Sequence, residues 1–281
     1  MIYVSTACFK YKNIENLFKN LKKNNIDNIE LSYLNYENNL KKKLIKEKNF
    51  NFSIHNYFPP QKKPFVFNLA SQNNKINEKS LKMAFNNISL SHKINSSVYS
   101  FHSGYLFDPF FYELGKKINN QNIYNKDDSI KIFIKNVKIL SKIANKYNVK
   151  IMIENNVINK LNLKTFNQNP LLMCDIKETK RIFKLLPRNI SLLVDVAHLK
   201  VSSETLKFDR SKYLHSLKEI IGGYHLSDNN GKLDTNKPFN RRSWFWNLIN
   251  KNLKYYSIEV YNEPIIKIKD QIKIANEKIN S

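Results

Sequence analysis

Short apolar runs and helix-period stripes alternate along the whole chain. Met1 to Phe9 reads as a first strand, after which Ile14, Leu17, Phe18 and Leu21 recur at the spacing of one helix face. Ile29 to Ser32 is a second strand, 39–48 a Lys-rich helix and Phe50 to His55 a third strand. Leu81, Ala84, Phe85 and Ile88 stripe the next helix, and Val98 to His102 is a fourth strand. A long stripe through Ile130, Phe133, Ile134, Val137, Leu140 and Ala144 follows Asp127-Asp128-Ser129, which supplies cap candidates. Lys150 to Glu154 is a fifth strand. Asp175 with Glu178 three residues later resembles a capping box. Ser191 to Asp195, Gly223 to His225 and Tyr255 to Glu259 complete the strands, with a helix near 210–221. Ile265, Ile268, Ile272, Ala275 and Ile279 close the chain on a helix face.

Eight strands alternating with roughly eight helices is the order of an α/β (β/α)8 barrel, predicted here as a single domain over 1–281. An open doubly wound sheet is the alternative. No GxGxxG or GxxxxGK[ST] follows any strand, which argues against its nucleotide-binding form. The long loops, 56–78, 103–126, 155–173 and 226–243, all follow strands, on the face where such barrels carry their sites.

Composition narrows the class. With 281 residues, 42% apolar and 25% charged, the chain has an ordinary globular balance, which excludes disorder and collagen. Cys8 and Cys174 make no disulfide framework and fit no CxxC pattern. The start, Met1 to Ser5, lacks a basic stretch followed by a long apolar run, and no segment approaches ~18 apolar residues. A cytoplasmic protein with no membrane partner is expected. The charge, 47 basic against 23 acidic residues for +24, would attract polyanions, nucleic acid included. That charge comes from 42 Lys and only 5 Arg, spread along a chain with 43 Asn. Phosphate readers lean on the Arg fork, so compositional drift is the stronger reading.

The chemistry lies in what ends each strand. Strands three to eight finish in His55, His102, Glu154, Asp195, His225 and Glu259, at steps of 47, 52, 41, 30 and 34 residues, about one barrel unit each. Singly, a strand-end His is more often a packing residue and a strand-end acid a helix cap. Together at one rim they need a cation, since crowded carboxylates would otherwise repel and shift upward. Mixed N/O ligation suits Zn²⁺, Mn²⁺ or Co²⁺. His198, Asp228 and Asp234 are further candidates. His92, continuing the Leu81–Ile88 stripe, is expected in the core, and His215 at the surface.

The stretches SIHNYFPP, FNLAS, SFHSGY, IMIENN, LLVDVAHLKV, YHLSDNNG and YSIEV resemble, in order, the xylose-isomerase-like barrels. That superfamily includes sugar-phosphate isomerases and epimerases, inosose dehydratases and metal-dependent apurinic endonucleases. HNYFPP…FVFNLAS looks most like the sugar phosphate isomerase/epimerase branch. The resemblance implies Glu154, Asp195, His225 and Glu259 as ligands of a shared divalent metal. His55, His102, His198 and Asp234 match further ligands of the endonuclease branch. That branch has Asp-x-His where this chain has Asp234-Thr235-Asn236, so one or two ions are expected rather than three.

The resemblance implies proton transfer on a sugar or sugar phosphate through a metal-stabilised enediolate, with Glu154 and Glu259 as the two acid–base groups. Lys200 would hold a phosphate or hydroxyl, or is a plain loop lysine, and Asp228 is a second candidate for the substrate side. Trp244, Phe245 and Trp246 either wall the pocket or start a seventh helix. The competing functions are a phosphodiesterase acting on abasic DNA and a non-catalytic anion-binding barrel. The oligomeric state stays open.

Overall fold

The eight predicted strands all form, and each pairs in parallel with the next. The computed structural model describes residues 1–11, 13–113, 118 and 122–281. The strands are β1 (Ile2–Ser5), β2 (Asn28–Leu31), β3 (Asn51–His55), β4 (Val98–His102), β5 (Lys150–Glu154), β6 (Ile190–Asp195), β7 (Ile221–Leu226) and β8 (Tyr256–Ile258). Pairing of Tyr3 with Ser257 closes β8 onto β1, so the sheet is a closed barrel with no free edge. Around it run α1 (Ile14–Lys23), α2 (Leu40–Lys46), α3 (Asn74–Lys93), α4 (Lys126–Lys146), α5 (Lys160–Phe166), α6 (Ile176–Phe183), α7 (Val196–Leu206), α8 (Arg210–Leu217) and α9 (Ile265–Ile279).

Alternation along each strand separates two interiors. Outward residues such as Ile29, Ile54, Phe101, Ile153, Leu192 and Ile258 pack with Leu17, Ile88, Val137 and Ile268 from the helices in one core. Inward residues Tyr3, Val98, Met152, Leu193 and Tyr255 form a second, smaller cluster that plugs the barrel. One or two residues further along the strands the inward positions turn polar: Glu30, Ser53, His55, Ser100, Glu154, Asp195 and His225 are all buried. The plug is thus a floor beneath a polar chamber at the C-terminal rim.

Several sequence expectations need correction. β1 stops at Ser5 because Ser5 Oγ caps a 3-10 turn, Thr6–Cys8, where a continuous strand was expected. The cap of α4 is Asn125, whose Oδ1 accepts from Asp128 N–H at 3.1 Å; Asp127 and Asp128 lie in the first turn. Asp175 does cap α6, accepting from Glu178 N–H at 2.9 Å. Glu178 does not complete the box, and Oε1 instead accepts from Met173 N–H at 2.7 Å. His92 is exposed and Phe85 is 44% exposed, because the buried face of α3 runs through Ser80, Ala84, Asn87 and Ser91. Asn87 earns that place by donating to Tyr99 Oη and the Asn56 carbonyl. Counting apolar residues alone misplaces such a face. His215 is exposed as expected.

Trp244–Trp246 start no helix. They lie in successive turns between β7 and β8, with Phe245 and Trp246 buried against Phe239 and Trp246 Nε1 donating to the Asn240 carbonyl at 2.7 Å. A regular helix stands instead directly after β6, as α7.

The asparagine excess has a structural use. Eight of the ten described non-glycine residues with positive φ are Asn, among them Asn25, Asn95 and Asn148 just past helix ends. Asn tolerates the left-handed region better than other non-glycine residues, and this chain has only 5 Gly.

Candidate metal centre

Register delivers the strand-end groups to one place. His102 pairs with Glu154 across β4 and β5, and Asp195 with His225 across β6 and β7. Glu259, just past β8, is fixed by its N–H donating to the Leu226 carbonyl at 3.1 Å. Glu154, Asp195, His225 and Glu259 each offer one ligand atom, all within 4.8 Å of one another. His55, His102 and Glu154 form a second such group, and Glu30, His55 and His225 a third.

Glu154 stands at the middle. Its Oε1 lies 3.1 Å from His225 Nδ1, and its Oε2 3.3 Å from His55 Nε2 and 3.5 Å from His102 Nδ1. Glu259 Oε2 approaches the same His225 Nδ1 at 3.1 Å, and its Oε1 accepts from the Tyr261 hydroxyl at 3.1 Å. His55 is oriented by a 3.0 Å hydrogen bond between Nδ1 and Ser100 Oγ. His102, with 21% of its side chain exposed, is the most open of the four imidazoles in the cluster.

Asp195 is both a cap and a candidate ligand. Its Oδ1 accepts from His198 N–H at 2.8 Å at the start of α7, which leaves Oδ2 facing the chamber. The two readings of a strand-end acid coincide in this residue.

Three residues escaped sequence reasoning. Glu30 is fully buried on β2, where it accepts from His225 Nε2–H at 2.8 Å and from the Tyr255 hydroxyl. Its signal was a charged residue at the inward parity of a strand, one position before the strand end. Asn155 and Asn156, within the Glu-Asn-Asn stretch, brace the loops. Asn155 pairs with the backbone of Asp195, and Asn156 Nδ2 donates to the Ser103, Gly104 and Leu172 carbonyls.

His198 and Asp234 pair with each other at 3.1 Å, and His198 Nδ1 donates to the Asn155 carbonyl at 2.9 Å. Neither belongs to any of the three groups above. Asn236 is buried with its amide donating to the Glu259 carbonyl at 3.1 Å, so it braces that residue's backbone. Lys200 and Asp228 bind each other at 2.6 Å. The Lys200 ammonium also takes the Asn229 carbonyl, while Asp228 Oδ2 accepts from Ser243 Oγ–H at 3.0 Å. In this structure the two are committed to holding the loop after β7.

Orphaned acceptors test whether a cation fits. Glu30 Oε1, Glu154 Oε2 and Asp195 Oδ2, all from residues of the three groups, accept no hydrogen bond, although each atom is buried. Buried carboxylate oxygens normally find donors, so a set of them aimed at one chamber suits a divalent ion. Charge balance agrees. Burial, reinforced by Glu154, Asp234 and Glu259, pushes Asp195 up to about 7 against the pull of His198. Burial lowers His102 to about 4 despite Glu154. Burial would lower His225 too, but Glu30, Glu154 and Glu259 outweigh it and hold this ring well above the usual range. In Glu154 the raising effect of burial is likewise overcome, by His102, His225 and His55. The donor set of carboxylate and imidazole is that of Zn²⁺, Mn²⁺ or Co²⁺ sites.

The family model described as xylose isomerase-like TIM barrel matches residues 13–273. Among curated proteins compared by sequence, none matches. Solved structures align over the full length. One described as a D-tagatose 3-epimerase-like protein is 16% identical, with 99% of each chain covered and a TM-score of 0.73. A D-psicose 3-epimerase with D-tagatose from Clostridium cellulolyticum H10 is 11% identical, covering 99% of this chain and 96% of its own, TM-score 0.64. The IOLI protein with a binding zinc atom is 14% identical, covering 99% and 95%, TM-score 0.64. At these identities the likeness is one of fold.

Proposed function

The chain belongs to the xylose isomerase-like TIM-barrel family, and we propose that it is a divalent-metal-dependent isomerase or epimerase of a sugar or sugar phosphate. The observation that carries this reading is the convergence of Glu154, Asp195, His225 and Glu259 within 4.8 Å at the C-terminal rim. Structural neighbours described as a 3-epimerase and a 3-epimerase-like protein support the reaction class, and one described with a bound zinc supports the metal.

In this reading Glu154, Asp195, His225 and Glu259 hold the ion, with His55 and His102 available to a second. When bound, a divalent ion there supplies Lewis acidity that makes the C–H beside a chelated carbonyl more acidic. The chain does the rest. β5 and β8 lie three strands apart, so Glu154 and Glu259 address a bound carbon from different sides, one to remove a proton and the other to return it. Tyr261, donating to Glu259 Oε1, keeps that carboxylate turned into the chamber. The plug of Tyr3, Met152, Leu193 and Tyr255 denies water an approach from below.

The test is solvent exchange. Protein loaded with Mn²⁺, Co²⁺ or Zn²⁺ and incubated with a ketose panel in D₂O should place deuterium on the carbon next to the carbonyl. Glu154→Gln and Glu259→Gln should abolish that exchange. Exchange absent across ketoses, ketose phosphates and inositol derivatives would refute the reading.

A second reading rests on the His55–His102–Glu154 group, which suits a two-ion clamp on a phosphodiester. It predicts nicking of an abasic duplex by zinc-loaded protein and DNA binding with a steep salt slope. An intact duplex removes it.

A further inference from the structure

Glu30, a fully buried acid beside the site, is left unused by the proposed reaction. It has no solvent exposure, and its Oε2 receives hydrogen bonds from His225 Nε2–H at 2.8 Å and from the Tyr255 hydroxyl. Since the Tyr255 proton goes to Glu30, the Ser53 hydroxyl 2.9 Å away donates to Tyr255. A line of bonds therefore runs from Ser53 through Tyr255 and Glu30 to the ring of His225. On the other side of that ring, Nδ1 faces Glu154 Oε1 and Glu259 Oε2, both at 3.1 Å.

We infer that Glu30 is a positioning residue, holding the Nε2 proton and the plane of the His225 ring so that Nδ1 presents its lone pair to the ion site. The inference rests on the reading of Glu154, Asp195, His225 and Glu259 as that site. A ligating imidazole keeps its proton on one nitrogen, and the acceptor opposite that nitrogen decides which one. Here that acceptor is a fully buried carboxylate whose Oε2 is shared by His225 and Tyr255, while its Oε1 accepts no hydrogen bond. The next inward cluster below it is apolar, and a leucine would fill the same space with no charge to bury.

The support behind Glu30 is itself rigid. The Tyr255 ring packs on Tyr3 with centroids 5.0 Å apart. Gly223 passes so close that an added Cβ would stand 2.8 Å from Tyr255 Cδ1. Tyr255 therefore has little freedom to swing its hydroxyl away, and Glu30 is held on the line between two donors.

The experiment measures Zn²⁺ affinity by competition with a chromophoric chelator, for the full-length protein and for Glu30→Gln, Glu30→Leu and Tyr255→Phe. Histidine-selective ¹⁵N NMR on the zinc-loaded proteins provides the second readout. The unaltered protein should show a slowly exchanging proton on His225 Nε2. Glu30→Leu should lose that signal and bind zinc about 10–100-fold more weakly. Glu30→Gln, which still offers an acceptor oxygen, should lose less, and Tyr255→Phe least. If Glu30→Leu does not fold, Gln and Phe carry the test. Lower unfolding midpoints with unchanged zinc affinity and an unchanged Nε2 proton would assign Glu30 a purely structural part and overturn the inference. Absence of zinc binding by the unaltered protein would overturn the ion site itself, a result distinct from tight binding by all four proteins, which would sink only the part assigned to Glu30.

Discussion

Asn155 grips the backbone of Asp195 at both of its polar groups: Oδ1 accepts from the Asp195 N–H at 2.8 Å, and Nδ2 donates to the Asp195 carbonyl at 3.3 Å. Its own carbonyl accepts from His198 Nδ1 at 2.9 Å. One side chain leaving β5 thus fixes the end of β6 and the first turn of α7. Asn155→Ala should strand a buried N–H and a buried C=O and cost about 1–3 kcal/mol of stability. The zinc affinity should fall with it, because Asp195 loses its placement. Urea unfolding and chelator competition check both; a variant as stable and as tightly binding as the original would show that the clamp is dispensable.

Metal uptake should release protons. Asp195 sits at about 7, and the His225 ring is held well above the usual range, so near neutral pH both carry protons that a ligand atom must give up. Zinc affinity should therefore rise as pH climbs through 7 and fall below it. Calorimetry at pH 7 in buffers of differing ionisation enthalpy should find about one to two protons released per ion. The empty protein should respond with the opposite sign. The Asp195 pKa lies above its unfolded value of about 3.9, so the stability linked to this group is lost as pH rises from there through 7. A binding constant flat between pH 6 and 8 would contradict the protonation pattern.

Much of this was legible because barrels repeat one unit. Strands β3 to β8 carry an outward apolar parity and place a rim group at, or one position from, their ends, so Glu154 or His225 can be read from a five-residue string. Glu30 was not legible by that rule, since the second strand reads as running on to Ser32, which puts an acid in its middle, whereas β2 stops at Leu31. Asn155 was visible as part of a motif, yet its bond to Asp195 joins positions 40 apart and exists only once β5 and β6 pair. Failure at His92 and Phe85 has another origin: α3 buries serine and asparagine against the barrel, and hydropathy cannot see a face built that way. Lys200, two residues after His198, looked suited to a phosphate or hydroxyl or else like a plain loop lysine, whereas it lies inside α7 and the fold had already given it Asp228.

Both cysteines should be inert in the folded protein. Cys8 and Cys174 are buried, and burial pushes each thiol upward, which suppresses the reactive thiolate. Ellman's reagent should find no reactive thiol under native conditions and two in denaturant. Rapid modification of either one without denaturant would show that its surroundings open readily.

Gly223 should resist substitution more than its place on an ordinary strand suggests. The β6–β7 register slips between Leu192 and Leu193, so that Ile221 pairs with Leu192 and Gly223 with Leu193, leaving Gly222 as the extra residue. Gly223 then faces inward against Tyr255, and an added Cβ would stand 2.8 Å from Cδ1 and 2.9 Å from the carbonyl oxygen of that residue. The carbonyl is backbone and belongs to the bond accepted from Tyr224 N–H at 3.2 Å, so it cannot yield without breaking the β7–β8 ladder. Gly223→Ala should therefore cost about 1–3 kcal/mol, as overpacking does in a filled core. It should also displace the Tyr255 hydroxyl from Glu30, so zinc binding should weaken further than in a variant of equal stability loss made elsewhere in the barrel wall. Ile151→Val, on the outward face of β5 and buried in the main core, supplies a comparison for the stability term alone. Equal zinc affinity in the two variants would separate the bulge from the chemistry above it.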